Sequence, residues 1–175
     1  ETYVRFKNIA MLWSVGKDST TLLWLIRKAF FGKIPFPVIH IDTSYKFPEM
    51  YEFRDRMAAE WGFDLVIAEN REKIDAGMGP HKGLKFECCN ELKTNALKMI
   101  IQKRNLQAMF VGIRRDEHGI RAKERYFSAR DDQFKWNYET QSAEVWDQYK
   151  SIRQEDEHYR IHPLLHFNEV DIWRY

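Results

Sequence analysis

Short apolar runs separated by longer helical patterns constrain this chain more than any other feature. "IAMLWSV" (residues 9–15) is continuously apolar and stops at Gly16, as a strand buried on both faces of a sheet does. "PVIHIDT" (37–43), "FDLVIAE" (63–69) and "QAMFVGI" (107–113) repeat the pattern, and "RIHPL" (160–164) offers a fifth strand. Between them lie helical stretches. Residues 18–31 are apolar around much of the girth and end at Gly32. "FPEMYEFRDRMAAEWG" (47–62) has Pro48 near its first turn and Gly62 at its end. "NELKTNALKMIIQKRN" (90–105) carries Leu92, Ala96, Leu97, Ile100 and Ile101 on one side. Residues 70–87 read as a loop, residues 114–158 are charged and aromatic with weak periodicity, and Asn168 is placed to cap a last helix. This alternation predicts an α/β fold: a Rossmann-like, doubly wound, mostly parallel sheet with helices on both faces.

A chain of 175 residues suits one domain, residues 1–175, with a proper core. It starts without Met and stops at "NEVDIWRY", inside a helical pattern, so we expect it to be the ordered part of a longer polypeptide. Its 28 basic and 26 acidic side chains nearly cancel, which argues against a nucleic-acid binder. Any anion must be held by a local basic site. Apolar runs such as "LLWLI" are too short to cross a bilayer, so no membrane role is expected. Cys88 and Cys89 are the only cysteines and are adjacent, which points to a reducing, cytoplasmic setting.

In a doubly wound sheet, ligands bind outside the carboxyl ends of the strands. Three such ends are chemically rich here. The first is the turn Ser14, Val15, Gly16, Lys17, Asp18, Ser19, Thr20. A glycine allows close approach of an anion, the following helix points free N–H groups at it, hydroxyls donate hydrogen bonds and Lys17 adds a charge. Gly16 is expected to take a backbone geometry that other residues resist. A P-loop would need glycine five residues before Gly16, where Met11 stands, so the shorter turn suits a pyrophosphate. An ordinary strand–helix turn capped by Asp18 or Ser19 has the same composition.

The second end carries Ile41, Asp42 and Thr43, whose main chain can read a base; Asp42 either bonds a ribose hydroxyl or forms the turn. His40 alternates with apolar residues and reads as a satisfied strand histidine. The third end is "GIRRDEHGIRAKERYFSARD" (112–131). Gly112 lets the strand pass close to a ligand, and Arg114, Arg115, Arg121 and Arg125 offer guanidinium forks for sulfate or phosphate oxygens. The interleaved Asp116, Glu117 and Glu124 also suit a solvated helix laced with ion pairs. The aromatic run from Phe127 to Tyr149 is core by default, and a lid or partner surface otherwise.

"SVGKDS" resembles the pyrophosphate loop of the adenine-nucleotide α-hydrolase-like superfamily. Together with "PFPVIHIDTSYKFPEMYEFRD" and "GIRRDEHGIRAKERYFSARD" it is similar, in order and spacing, to the small ATP-binding subunits of bacterial sulfate adenylyltransferases. That resemblance implies transfer of AMP from ATP to sulfate, giving adenylyl sulfate and pyrophosphate. It implies catalytic roles for Lys17, Arg114 and Arg115, with sulfate held by Arg114, Arg115, Arg121 and Arg125. It further implies Mg²⁺ with ATP, Asp18 as a possible ligand, and a GTPase large subunit as heteromeric partner. "ECCNELKTNAL" departs from this pattern and resembles the adenylyl-sulfate reductases that hold a [4Fe–4S] cluster through two cysteine pairs. Cys88 and Cys89 are one such pair, or simply two small residues at a helix start. The alternative function is therefore a sulfonucleotide reductase.

Overall fold

The computed structural model describes residues 1–81, 85–146, 148–150 and 157–175. Its centre is a six-stranded sheet in the order β3-β2-β1-β4-β6-β5. The strands are β1 (Ile9–Leu12), β2 (Val38–Ile41), β3 (Leu65–Ala68), β4 (Ala108–Val111), β5 (Phe127–Arg130) and β6 (His158–Ile161). All neighbours pair in parallel except β5, which runs antiparallel to β6. The register sets Met11 beside Val38 and Phe110.

The helices are α1 (Thr2–Arg5), α2 (Lys17–Ala29), α3 (Pro48–Trp61), α4 (Arg71–Asp75), α5 (Lys85–Cys89), α6 (Ala96–Lys103) and α7 (Glu169–Trp173). They cover both faces. On one, Met11, Trp13, Val38 and Phe110 pack with Leu22, Leu23 and Ile26 of α2 and with Ile172 of α7. On the other, Ala10, Ile39 and Met109 pack with Ile100 and Ile101 of α6. This two-sided burial is why β1 reads as an unbroken apolar run. Pro48 opens α3, and Gly62 closes it in the left-handed region at φ 64°.

The doubly wound fold is as expected, with four departures. Each strand is shorter than its apolar run. The last expected strand, 160–164, lies two to three residues earlier, at β6. The segment after Arg114 contains an unpredicted strand, β5, because Glu124, Ser128 and Arg130 satisfy one another inside it. The expected loop 70–87 contains α4 and the start of α5, which continues as a π-helical stretch (Asn90–Asn95) into α6. Within the expected loop and aromatic segments, residues 82–84, 147 and 151–156 lie outside the described residues.

The chain winds from β1 outward to β2 and β3, then crosses back to β4 on the other side of β1. The carboxyl ends of β1 and β4 therefore flank the crevice where such sheets take their ligands.

Candidate active site

The turn from Ser14 to Thr20 leads directly from β1 into α2. Its strained residue is Val15, at φ 67°, not Gly16, at φ −79° and ψ 163°. At Gly16 the constraint is close packing: a Cβ there would stand 3.3 Å from Ser14 Oγ. The Gly16 N–H donates to that oxygen at 3.3 Å, and Ser19 Oγ donates to the Gly16 carbonyl at 3.0 Å. Ser14 Oγ lies 3.0 Å from Ser19 Oγ, so Ser14 is the donor of that pair. Thr20 turns inward, where its Oγ1 accepts from Trp13 Nε1 at 3.0 Å. The first intrahelical bond runs from the Thr20 N–H to the Gly16 carbonyl, so the N–H groups of Lys17, Asp18 and Ser19 have no partner within the helix. Neither Asp18 nor Ser19 caps it. Ser14, Gly16 and Lys17 are exposed, so the free N–H groups of the first turn of α2 sit beside an accessible loop.

Lys17, Asp18 and Arg114 meet beside this turn. Lys17 Nζ lies 3.0 Å from Asp18 Oδ2 and 3.3 Å from Glu169 Oε2. Arg114, buried at 3% exposure, donates through Nε to Asp18 Oδ1 at 2.5 Å, through Nη1 to Asp116 at 2.8 and 2.9 Å, and through Nη2 to Glu169 Oε2 at 2.5 Å. Burial pushes the Asp18 carboxyl up, but hydrogen bonds from Lys17 and Arg114 outweigh it and hold the group below the usual carboxylate range. The hydrogen bond to Asp18 raises the Lys17 ammonium in turn. Both Asp18 oxygens thus face cations, and this carboxylate does not fit the role of a direct Mg²⁺ ligand.

Two of the four expected arginines are engaged by other groups of the protein. Arg114 is saturated by three carboxylates and anchors Asp18. Arg115 is exposed, its guanidinium 5.6 Å from the centre of the Tyr126 ring. Arg125 donates to the carbonyls of Ser142 and Lys123 at 3.2 and 3.4 Å. Arg121 is half-buried. Glu124, expected on a solvated helix, is 2% exposed and bonded to Arg130 and Ser128. Gly112 also differs from expectation. A Cβ there would meet Ser19 Cα at 3.0 Å and the Asp18 carbonyl at 3.1 Å, so the bare strand end admits the first turn of α2.

At the end of β2, Asp42 Oδ1 accepts from the Ser44 N–H at 2.8 Å and from the Tyr51 hydroxyl at 2.9 Å. Asp42 thus forms the turn after β2. Next to it opens a cavity of about 400 Å³, within the range of small-molecule sites. Leu12, Ile41 and Leu97 form an apolar wall, and Ser14 and Thr43 also line it. Its charged lining among the described residues is Lys46, Lys93 and Arg160, with no carboxylate. Lys46 Nζ donates to His40 Nε2 and to the Ile41 carbonyl, both at 2.5 Å. His40 Nδ1 donates to the Trp13 carbonyl at 2.9 Å, which confirms a satisfied strand histidine. Burial, reinforced by Lys46, lowers that imidazole to about 4. A larger hollow, about 640 Å³, sits at the amino ends of the strands near Tyr3, Phe36 and Arg104, remote from these groups.

Lys46, Lys93, Arg160 and Glu169 were missed in the sequence. Lys93 had a signal, a π-helical stretch of the kind found at functional sites, but one that shows only in the backbone. Glu169 meets Arg114 across 55 residues, which no local pattern reveals.

Cys88 is buried and Cys89 half-buried, both as free thiols at the end of α5. Both line a hollow of about 240 Å³ that shares Thr43 and Lys93 with the cation-lined cavity. A [4Fe–4S] cluster needs four thiolates, and these 175 residues hold two, so the donor set does not fit a cluster by itself. No group of three or more His, Cys, Asp or Glu that could hold a metal is present among the described residues.

Comparison with known proteins identifies the family and the fold. The profile of the phosphoadenosine phosphosulfate reductase domain matches residues 8–175. The chain is 44% identical to sulfate adenylyltransferase subunit 2 of Pseudoalteromonas translucida, over 100% of this chain and 59% of that protein. The same-named protein of Colwellia psychrerythraea is 45% identical with the same coverage. The chain thus spans about three fifths of the length of the curated relatives it matches. Among solved structures, phosphoadenylyl-sulfate reductase from Candida auris, in a phosphate complex, superposes with a TM-score of 0.67 at 16% identity, over 98% of this chain and 72% of that one. FMN adenylyltransferase from Candida glabrata, in complex with ATP, gives 0.59 at 18% identity, over 95% and 44%. At such identities the superpositions establish the shared fold.

Proposed function

The chain belongs to the phosphoadenosine phosphosulfate reductase domain family, and on that premise we propose that it is the ATP-binding part of an enzyme that transfers AMP from ATP to sulfate. The observation that carries this reading is an exposed strand–helix turn abutting a cation-lined cavity with no carboxylate among its described lining residues. The printed names of the relatives support the transferase over the reductase.

In this mechanism the turn holds the β- and γ-phosphates, with adenine against the apolar wall near Ile41 and Thr43. A sulfate oxygen attacks the α-phosphorus. The bond from that phosphorus to the bridging oxygen breaks, and its electron pair leaves with pyrophosphate. Charge grows on the leaving group, where Lys17, Ser14 and the free N–H groups of α2 are preorganised to meet it. Arg114 acts as a positioning residue, fixing Asp18 and through it Lys17. No step passes through Asp18 or through a metal ion. Sulfate is already an anion, so no general base is needed.

The product anhydride is less stable than that of ATP, so an energy-coupled partner is required. A GTPase large subunit in the cytoplasm fills this role in the proposal, and the words "subunit 2" in the relatives' names support a heteromer. The test is pyrophosphate release by the full-length protein with its partner, given ATP with and without sulfate. Release should depend on sulfate, and Lys17→Ala should lower turnover roughly a hundredfold. Release that ignores sulfate would overturn the reading.

A further inference from the structure

We propose that Lys46 and Arg160, rather than Arg114 and Arg125, seat the acceptor oxyanion, a tetrahedral dianion of the sulfate class. This rests on the adenylyltransferase reading and assigns its second substrate.

The argument begins with availability. Arg114 faces three carboxylates, and Arg125 is bonded to two carbonyls. An oxyanion offered to Arg114 would have to displace Asp18, Asp116 or Glu169 and would meet their charge. Arg160 is the opposite case. It lies on β6, between β4 and β5, and is half-buried with its side chain lining the cavity. Among the described residues its guanidinium has no hydrogen bond or ion pair. Glu124, whose charge reaches it, is already bonded to Arg130 and Ser128. Among the described residues this half-buried guanidinium keeps its donors free for a ligand.

Lys46 supplies the second donor. An ammonium has three N–H groups. Two are fixed by His40 and the Ile41 carbonyl, which leaves one to project from a held position. The same His40 is bonded to the Trp13 carbonyl, so the lysine is tied to the end of β1, one residue before the phosphate turn. A planar fork and a point charge on one carboxylate-free lining suit a tetrahedral dianion.

Placement completes the argument. Ser14 belongs both to the turn and to the cavity lining, so the two sites abut. The proposal requires that, with pyrophosphate held at the turn, the α-phosphorus faces the cavity, so that an anion seated there attacks in line.

The test uses the full-length protein with its partner and the variants Arg160→Gln, Arg160→Lys, Lys46→Gln and Arg115→Gln. Initial rates of pyrophosphate release are measured against sulfate and ATP. Calorimetry follows sulfate binding to protein loaded with α,β-methylene-ATP, which cannot transfer AMP. Arg160→Gln and Lys46→Gln should each raise the sulfate KM and Kd roughly tenfold or more, with the ATP values within about twofold; Arg160→Lys should fall between. An unchanged sulfate Kd, an ATP Kd rising in step, or a sulfate effect confined to Arg115→Gln would each overturn the proposal. Because Arg160 lies inside the sheet, Lys46→Gln decides if Arg160→Gln fails to fold. Wild-type protein that releases no pyrophosphate with sulfate sinks the transferase reading, and calorimetry then judges the seat by itself. Sulfate binding that depends on Arg160 sustains it, and absence of sulfate binding by the wild type overturns it.

Discussion

Lys46 shows how much one side chain can depend on its neighbours. Its ammonium is lowered from the ordinary 10.5 to about 8, chiefly by burial, with Arg54 and Lys93 pushing the same way and Asp42 opposing them. The charge is therefore present below pH 8 and fades above it. If Lys46 holds the acceptor, the sulfate KM should rise as pH climbs through 8 while the ATP KM stays level, and Lys46→Gln should abolish the inflection. A bound dianion favours the charged form, so the inflection should move upward at saturating sulfate. An inflection that survives Lys46→Gln assigns it to another group. Val15 makes a related point. A β-branched residue at φ 67° is held against its own preference, and such strain clusters where the chain must present a ligand site.

Among the elements, the contact between β4 and α2 governs how the turn is presented. Gly112 permits the first turn of α2 to lie against the strand end, with the backbone of Asp18 and Ser19 where a Cβ would go. Gly112→Ala should push α2 outward, lower stability by about 1 to 3 kcal/mol and weaken ATP binding. Gly119→Ala is the control, since nothing lies within 4 Å of its Cβ position. Equal melting temperatures and ATP affinities for the two variants would show that this packing does not set the turn. The short α7 has a comparable influence from the far end of the chain. Its cap is secured by Asp171, whose carboxylate accepts from the Asn168 N–H at 2.9 Å, and this delivers Glu169 to Lys17 and Arg114.

For the molecule as a whole, two buried imidazoles set the acid limit. His40 and His162 are both lowered from 6.5 to about 4, in each case mainly by burial. The folded state therefore binds fewer protons than the unfolded chain between these values, and stability falls as pH drops from about 6.5 toward 4. The loss should be on the order of 1 to 3 kcal/mol per histidine. Asp18 and Asp42, held below 3.8, add their loss only at lower pH. Urea midpoints measured from pH 7 to 4 should decline, with a shallower slope in His40→Asn. A flat profile would mean that neither ring titrates with folding. The same burial ties chemistry to architecture, since His40 bridges β1 to Lys46 from within the sheet.

Strands β1 to β4, helices α2, α3 and α6 and the doubly wound character of the sheet were legible in the amino-acid order because each is a local pattern: a run of apolar residues, a periodic stripe, a glycine where strand meets helix. Pro48, Gly62 and Asn168 marked their helix ends for the same reason. What only the tertiary structure decided was which charges are free. Arg114 and Arg160 are indistinguishable as letters, yet one is closed by carboxylates from three segments and the other faces a cavity without them. Burial and pairing between distant residues are properties of the folded packing, and they determine whether a cation holds the fold or is available to a ligand.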